Sequence, residues 1–122
     1  MSAPVGPYSP VLRAGDWVVA SGQVGLARGV EGPPQLVEGG TAAELRQALA
    51  NLAEVLSFEG AVLSDVVKTT LFLADMADYP EANAVWTEVF TEHRPTRSTV
   101  AVAALPLGAR AEVEAWAYAP RG

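Results

Sequence analysis

The chain has 122 residues, half of them apolar and 18% charged, which excludes a disordered tract and leaves no room for a second domain of ordinary size. Fourteen acidic against eight basic residues give a net charge of −6, spread evenly over both halves, so binding to nucleic acid by counterion release has no electrostatic support. With no cysteine and one histidine, His93, the composition excludes disulfides, thiolate zinc sites, a cysteine nucleophile and any site that needs two imidazoles.

The first ten residues carry neither a basic n-region nor an apolar h-region, so a secretory signal is not expected and the cytoplasm is the expected compartment. Residues 8–13 and 17–21 read as two short strands around the turn residues Ala14, Gly15 and Asp16, an opening hairpin. Residues 25–40 hold five glycines and two prolines without a period and read as a loop, in which Leu36 and Val37 are positioned to pair briefly with a strand. Thr41 followed by Glu44 has the spacing of a capping box, and Leu45, Leu49, Leu52 and Leu56 then recur at helical steps. Gly60 suits the left-handed position after the helix. Residues 65–75 read as a strand with Val67, Thr69, Leu71 and Leu73 on one face and Val66, Lys68, Thr70 and Phe72 on the other. Asp78 with Glu81 repeats the capping-box spacing, and Ala82, Val85, Trp86, Val89 and Phe90 form the stripe of a second helix that ends before Pro95. Residues 98–105 and 110–119 read as two strands joined by a turn around Pro106, Leu107 and Gly108.

The predicted order is β-β-α-β-α-β-β in a single domain over residues 1–122, an α+β fold with one mixed sheet and two helices on one face. No run of about 20 apolar residues is free of charge, so no membrane span is predicted. The last strands are rich in alanine, predicted on both sides of the pleat, so the bare sheet face is expected to be small-residued and covered by another subunit.

Nucleophilic chemistry has little to work with. Ser21 and Ser98 lie near strands, but there is no G-x-S-x-G elbow, and His93 reads as a helix C-terminal cation or a solvated side chain. The glycines at 22, 25 and 29 spell neither a P-loop nor a dinucleotide fingerprint, and no EF-hand spacing supports an all-carboxylate metal site. Arg97 is predicted at the mouth of a strand, where a guanidinium either pairs with a neighbouring Asp or Glu or stays available to grip a carboxylate. Glu112 and Glu114 lie two apart on the last strand and share a face about 6 to 7 Å apart. They read either as edge-strand charges or partners of Arg110, or as a cleft acid or base with a raised pKa.

Gly6-Pro7-Tyr8-Ser9-Pro10, Ala20-Ser21-Gly22-Gln23, Asp65-Val66-Val67-Lys68-Thr69-Thr70 with Leu73-Ala74-Asp75, Asn83, Pro95-Thr96-Arg97-Ser98, Leu105-Pro106 and Glu112 resemble the RidA (YjgF) family in order and spacing. The resemblance implies a chorismate-mutase-like fold, a homotrimer whose sheets form an inner barrel, and sites between subunits. It implies hydrolysis of reactive 2-enamines and 2-imino acids, released by pyridoxal-phosphate-dependent enzymes, to 2-oxo acids and ammonia, with no cofactor and no metal. It assigns Arg97 to the substrate carboxylate and Glu112 to the attacking water, with Glu114 as the alternative carboxylate. Tyr8, Ser21, Gly22, Asn83 and Thr99 become the expected substrate-binding positions. Thr99 stands where cysteine is common in the family and Ala104 where a basic residue often is, departures that bear on substrate preference. Endoribonuclease activity and a non-catalytic, carboxylate-binding or chaperone-like trimer are the alternative readings.

Overall fold

The computed structural model describes residues 6–121. Strands β1 (Val11–Ala14) and β2 (Trp17–Val24) form the expected hairpin, followed by helix α1 (Gly40–Ser57), strand β3 (Val66–Leu73), helix α2 (Tyr79–Val89), and strands β4 (Thr96–Ala101) and β5 (Ala111–Tyr118). The strands make one mixed sheet in the order β1-β2-β5-β3-β4. Strand β5 runs antiparallel to both neighbours, and β3 pairs parallel with the edge strand β4, which α2 makes reachable as a crossover. The last strand in sequence is therefore the middle strand in space.

The apolar stripe of α1 is fully buried: Leu45, Leu49, Leu52 and Leu56 are at most 1% exposed, each contributing on the order of 1.5–3 kcal/mol of transfer free energy. They pack with Val85, Trp86 and Phe90 of the second helical segment against Val18, Leu71, Leu73 and Val113 on one sheet face. Gly60 has the expected positive φ of 80° after the helix. Leu36 forms an isolated bridge with Leu26, just beyond β2, in keeping with the short pairing expected there.

Neither predicted capping box forms. The N-cap of α1 is Gly39, whose left-handed backbone offers no side-chain cap. Thr41 Oγ1 instead donates to Asp78 Oδ2 at 2.7 Å, the Glu44 carboxylate accepts the Arg110 backbone N–H at 2.8 Å, and Arg110 Nη2 reaches Asp78 at 2.7 Å. The four side chains join both helix starts to the head of β5, a tertiary use that outcompetes the local one.

The faces of β3 also differ from strict alternation. Two β3 residues, Val66 and Lys68, pair with successive residues of β5, Ala117 and Trp116, so Val67 is an extra residue. This bulge turns Val66 onto the buried face beside Thr69, Leu71 and Leu73, and leaves Val67 exposed. The alanines of β5 likewise occupy one side: Ala111, Ala115 and Ala117 are buried beneath the helices. The bare face is consequently not small-residued. It carries Glu112 and Glu114 at one end of β5 and, at the other, Trp116 and Tyr118 packed edge-on around Trp17 with ring centroids 6.1 and 5.2 Å away.

His93 is exposed, as one of its two readings expects, but it lies four residues beyond the end of α2 and is not a helix C-terminal cation; its Nε2 lies 2.6 Å from the Val66 carbonyl, a contact that requires the proton on that nitrogen. Among the described residues no helix is long and apolar enough to cross a membrane.

Candidate functional site

Arg97 is the second residue of β4 and sits opposite Thr69, a buried residue, so its side chain leaves the sheet on the helix side. There it meets one face of α2. Nη2 donates to Asn83 Oδ1 at 2.7 Å and to the Tyr79 hydroxyl at 3.3 Å, while the guanidinium carbon lies 4.9 Å from the Trp86 ring centroid and 5.6 Å from that of Tyr79. Residues 79, 83 and 86 recur at helical steps of four and three, which stacks them along one side of the helix. The expected alternative, an ion pair with Asp or Glu, is absent: among the described residues no carboxylate lies within 4.0 Å of Arg97. Its contacts are a neutral amide, a phenol and two aromatic faces, which fix a cation without neutralising it. Nε and Nη1 have no protein partner among the described residues, so the guanidinium keeps donors free on both sides of the engaged Nη2. A cleft of about 390 Å³ opens beside it, lined by Asn83, Trp86, Thr87, Arg94, Pro95 and Arg97. Thr99 lies two residues further along β4 on the same side, opposite Leu71.

Glu112 is elsewhere. It alternates with buried Ala111 and Val113 on β5 and projects from the bare face with Glu114. Both edge-strand and Arg110-pairing explanations for these carboxylates fail, because β5 is central and Arg110 binds Asp78. What distinguishes Glu112 from Glu114 is the turn of chain against it. Between Ala20 and Gln23 strand β2 spends two residues, Ser21 and Gly22, where β5 spends only Glu114. The bulge brings Gly22 so close that a Cβ there would lie 2.8 Å from the Glu112 carboxyl carbon and 3.0 Å from each oxygen. Ser21 Oγ donates to the Ser9 carbonyl at 2.6 Å, and its backbone N–H to that of Pro10 at 2.9 Å, which brings the neighbouring, half-exposed Tyr8 to the same end of the sheet. Burial first, and the charge of Glu114 second, push the Glu112 carboxyl above its ordinary value of 4.5.

The sequence-predicted residues thus fall into two clusters. Asn83, Arg97 and Thr99 gather on the helix side of the sheet edge; Gly22 and Glu112 meet on the opposite face, with Ser21 in the same bulge and Tyr8 on the segment that Ser21 anchors. Arg97 lies opposite Thr69 and Glu112 opposite Phe72, with β3 between their strands. Strand spacing and rise place their Cα atoms about 14 Å apart, and the side chains diverge. One small molecule does not bridge them within a chain. Sequence reasoning missed Tyr79 as a partner of Arg97 and Arg94 as a cleft residue, and assigned Trp86 to the core alone; for Tyr79 and Trp86 the 79-83-86 spacing was the available signal.

Residues 1–119 match the family described as Endoribonuclease L-PSP. The chain belongs to the RidA (YjgF) family. Mouse 2-iminobutanoate/2-iminopropanoate deaminase is 44% identical over 113 residues, covering 93% of this chain and 82% of that protein, and the human protein of the same name is 41% identical over 111 residues, covering 91% and 79%. The crystal structure of the Escherichia coli YjgF gene product superposes with a TM-score of 0.85 at 36% identity, covering 95% of this chain and 91% of that one. The RidA fold is the chorismate-mutase-like α+β arrangement, as the sequence led us to expect.

Proposed function

We propose that this RidA-family chain is a hydrolytic deaminase of small 2-imino acids and their 2-enamine tautomers, yielding 2-oxo acids and ammonia. In this reading it acts as a single-domain subunit of a homotrimer whose sites lie between subunits. The observation that carries it is the division of the site: a preorganised, unneutralised Arg97 on one face and a carboxylate of raised pKa on the other, in a chain whose relatives are named for this reaction. Two subunits packed side by side unite one chain's Arg97 half with its neighbour's Glu112 half. The exposed Leu12, Trp17, Trp116 and Tyr118 on the bare face give that packing an apolar surface to bury.

In the assembled site the free donors of Arg97 take the substrate carboxylate through charge-assisted hydrogen bonds, and the Asn83 amide and Trp86 ring hold the guanidinium in place. Binding at that end turns C2 of the imine toward Glu112 of the neighbouring subunit. The ionised Glu112 accepts a proton from a water as the water oxygen bonds to C2 of the protonated imine. The resulting carbinolamine takes that proton on nitrogen, its hydroxyl proton passes to Glu112, the C–N bond breaks as C=O forms, and ammonia leaves. A raised pKa suits Glu112 for both transfers, since it lowers the difference in proton affinity between the carboxylate and its partners. A net charge of −6 works against an RNA substrate. The cytoplasm is where we place the reaction, and fractionation of cells carrying the tagged chain checks it.

The test is subunit complementation. Arg97→Ala and Glu112→Ala are each expected to lose ammonia release by about 10² or more. Refolded together in equal amounts they are expected to recover about one quarter of wild-type activity, the fraction of interfaces that draw an intact Arg97 and an intact Glu112 from different variants. No recovery, with assembly intact, refutes the shared site.

A further inference from the structure

The cleft beside α2 holds a second guanidinium that the chemistry above does not use. Arg94 lines it together with Arg97, three residues away across Pro95 and Thr96, a stretch of at most about 10 Å. Both side chains are long enough to converge on one ligand. Arg94 is exposed and makes no hydrogen bond, ion pair or ring contact among the described residues, so it has no structural task there. No acidic side chain lines the cleft, although the chain as a whole carries fourteen acidic residues. An acidic protein that sets two uncompensated cations around one opening presents a local positive potential suited to an anion with more than one charge.

The carboxylate of a 2-imino acid satisfies Arg97 alone. We propose that Arg94 is a specificity residue that receives a second carboxylate, so that the preferred substrates are four- and five-carbon 2-iminodicarboxylates, the imines of acidic amino acids. This rests on reading the cleft as the 2-imino acid site. The division of labour follows from the surroundings: Arg97, fixed by Asn83, Tyr79 and Trp86, sets the position of C2, whereas Arg94, unrestrained, adapts to the length of the side chain. Aliphatic imines leave Arg94 facing water and bind through the Arg97 end only.

Stable 2-oxo acids separate this from the deaminase assignment, because binding needs no turnover. Calorimetry on the assembled protein at low salt should show 2-oxoglutarate bound about fivefold tighter than 2-oxobutanoate, as befits one partly exposed ion pair. In Arg94→Gln the advantage should vanish, and Arg94→Lys should keep part of it. The proposal is overturned if the wild type shows no preference, if the preference survives Arg94→Gln, if that substitution weakens both ligands by the same factor, or if neither ligand binds. A preference that follows Arg94 in a protein that releases no ammonia from any imine would sink the deaminase reading and leave the two-cation cleft standing.

Discussion

Gly22 and Gly25 lie three residues apart in the same stretch, and replacing each by alanine should separate chemistry from folding. Neither has a φ in the left-handed region, so space decides the outcome. At Gly25 the new Cβ would meet the Glu44 backbone, 2.5 Å from its carbonyl oxygen and 2.7 Å from its Cα, in a fully packed helix that cannot yield cheaply. Overpacking of that kind costs about 1–3 kcal/mol or more. At Gly22 the obstacle is the end of a flexible side chain, the Glu112 carboxyl group at 2.8 Å, which must retreat by roughly 0.6 Å to reach ordinary contact. The fold should barely register that movement, but the reaction proposed for Glu112 should, because displacement of a catalytic group by about 1 Å can cost 10²-fold in rate. Thermal unfolding and ammonia release from an imine generated in situ read the two effects. Gly22→Ala should keep its melting temperature within a few degrees and lose about 10-fold to 10²-fold in kcat/KM, whereas Gly25→Ala should unfold early. A Gly22→Ala protein with wild-type turnover would refute the role given to Glu112.

Glu112→Gln should remove a penalty as well as a proton acceptor. Because folding raises the Glu112 pKa above 4.5, the wild type loses stability as pH rises from that value through the folded-state pKa; chemical denaturation should find the variant gaining on the wild type over that window and matching it below. Asp78→Asn should show the opposite dependence. The hydrogen bonds from Thr41 and Arg110 hold the Asp78 carboxyl below its ordinary 3.8, so its contribution is present above that value and lost as pH falls through the folded-state pKa; the substitution should cost about 1–2 kcal/mol at neutral pH and nothing in strong acid. Asn51 is 3% exposed and donates to the Val24 and Leu26 carbonyls while accepting from Arg28 and Gln47. Asn51→Ala should cost about 1–3 kcal/mol and admit protease to the 25–37 loop before the rest of the chain, as limited digestion would reveal.

The helical periods of the leucines in α1 and of residues 82–90 were legible because burial alone sets them. The capping boxes were misread because Thr41, Glu44 and Asp78 have hydrogen-bonding capacity that a distant strand, through Arg110, claims first; nothing local in sequence records that competition. The side assigned to Val66 failed for the same kind of reason, since a bulge is a property of the pair β3 and β5 and not of either strand. Arg97 was found by its type and position, but its separation from Glu112 needed the strand order, in which the last strand is inserted between β2 and β3. Tyr79 carried no motif of its own and became visible once α2 was seen to lie over β4.

The bulge at Ser21 and Gly22 means that β2 carries one residue more than its pairing with β5 requires. A single-residue deletion inside a strand ordinarily inverts every side chain beyond it. Here the opposite holds: removing Gly22 would leave Ser21 facing Glu114 and keep Gln23 opposite Val113, so the sheet would become more regular while Glu112 lost the chain that abuts it. Length at this point is a variable that the fold ignores and the carboxylate does not, which makes it a place where descendants of this sequence can retune or abandon the chemistry in one step without first relearning how to fold.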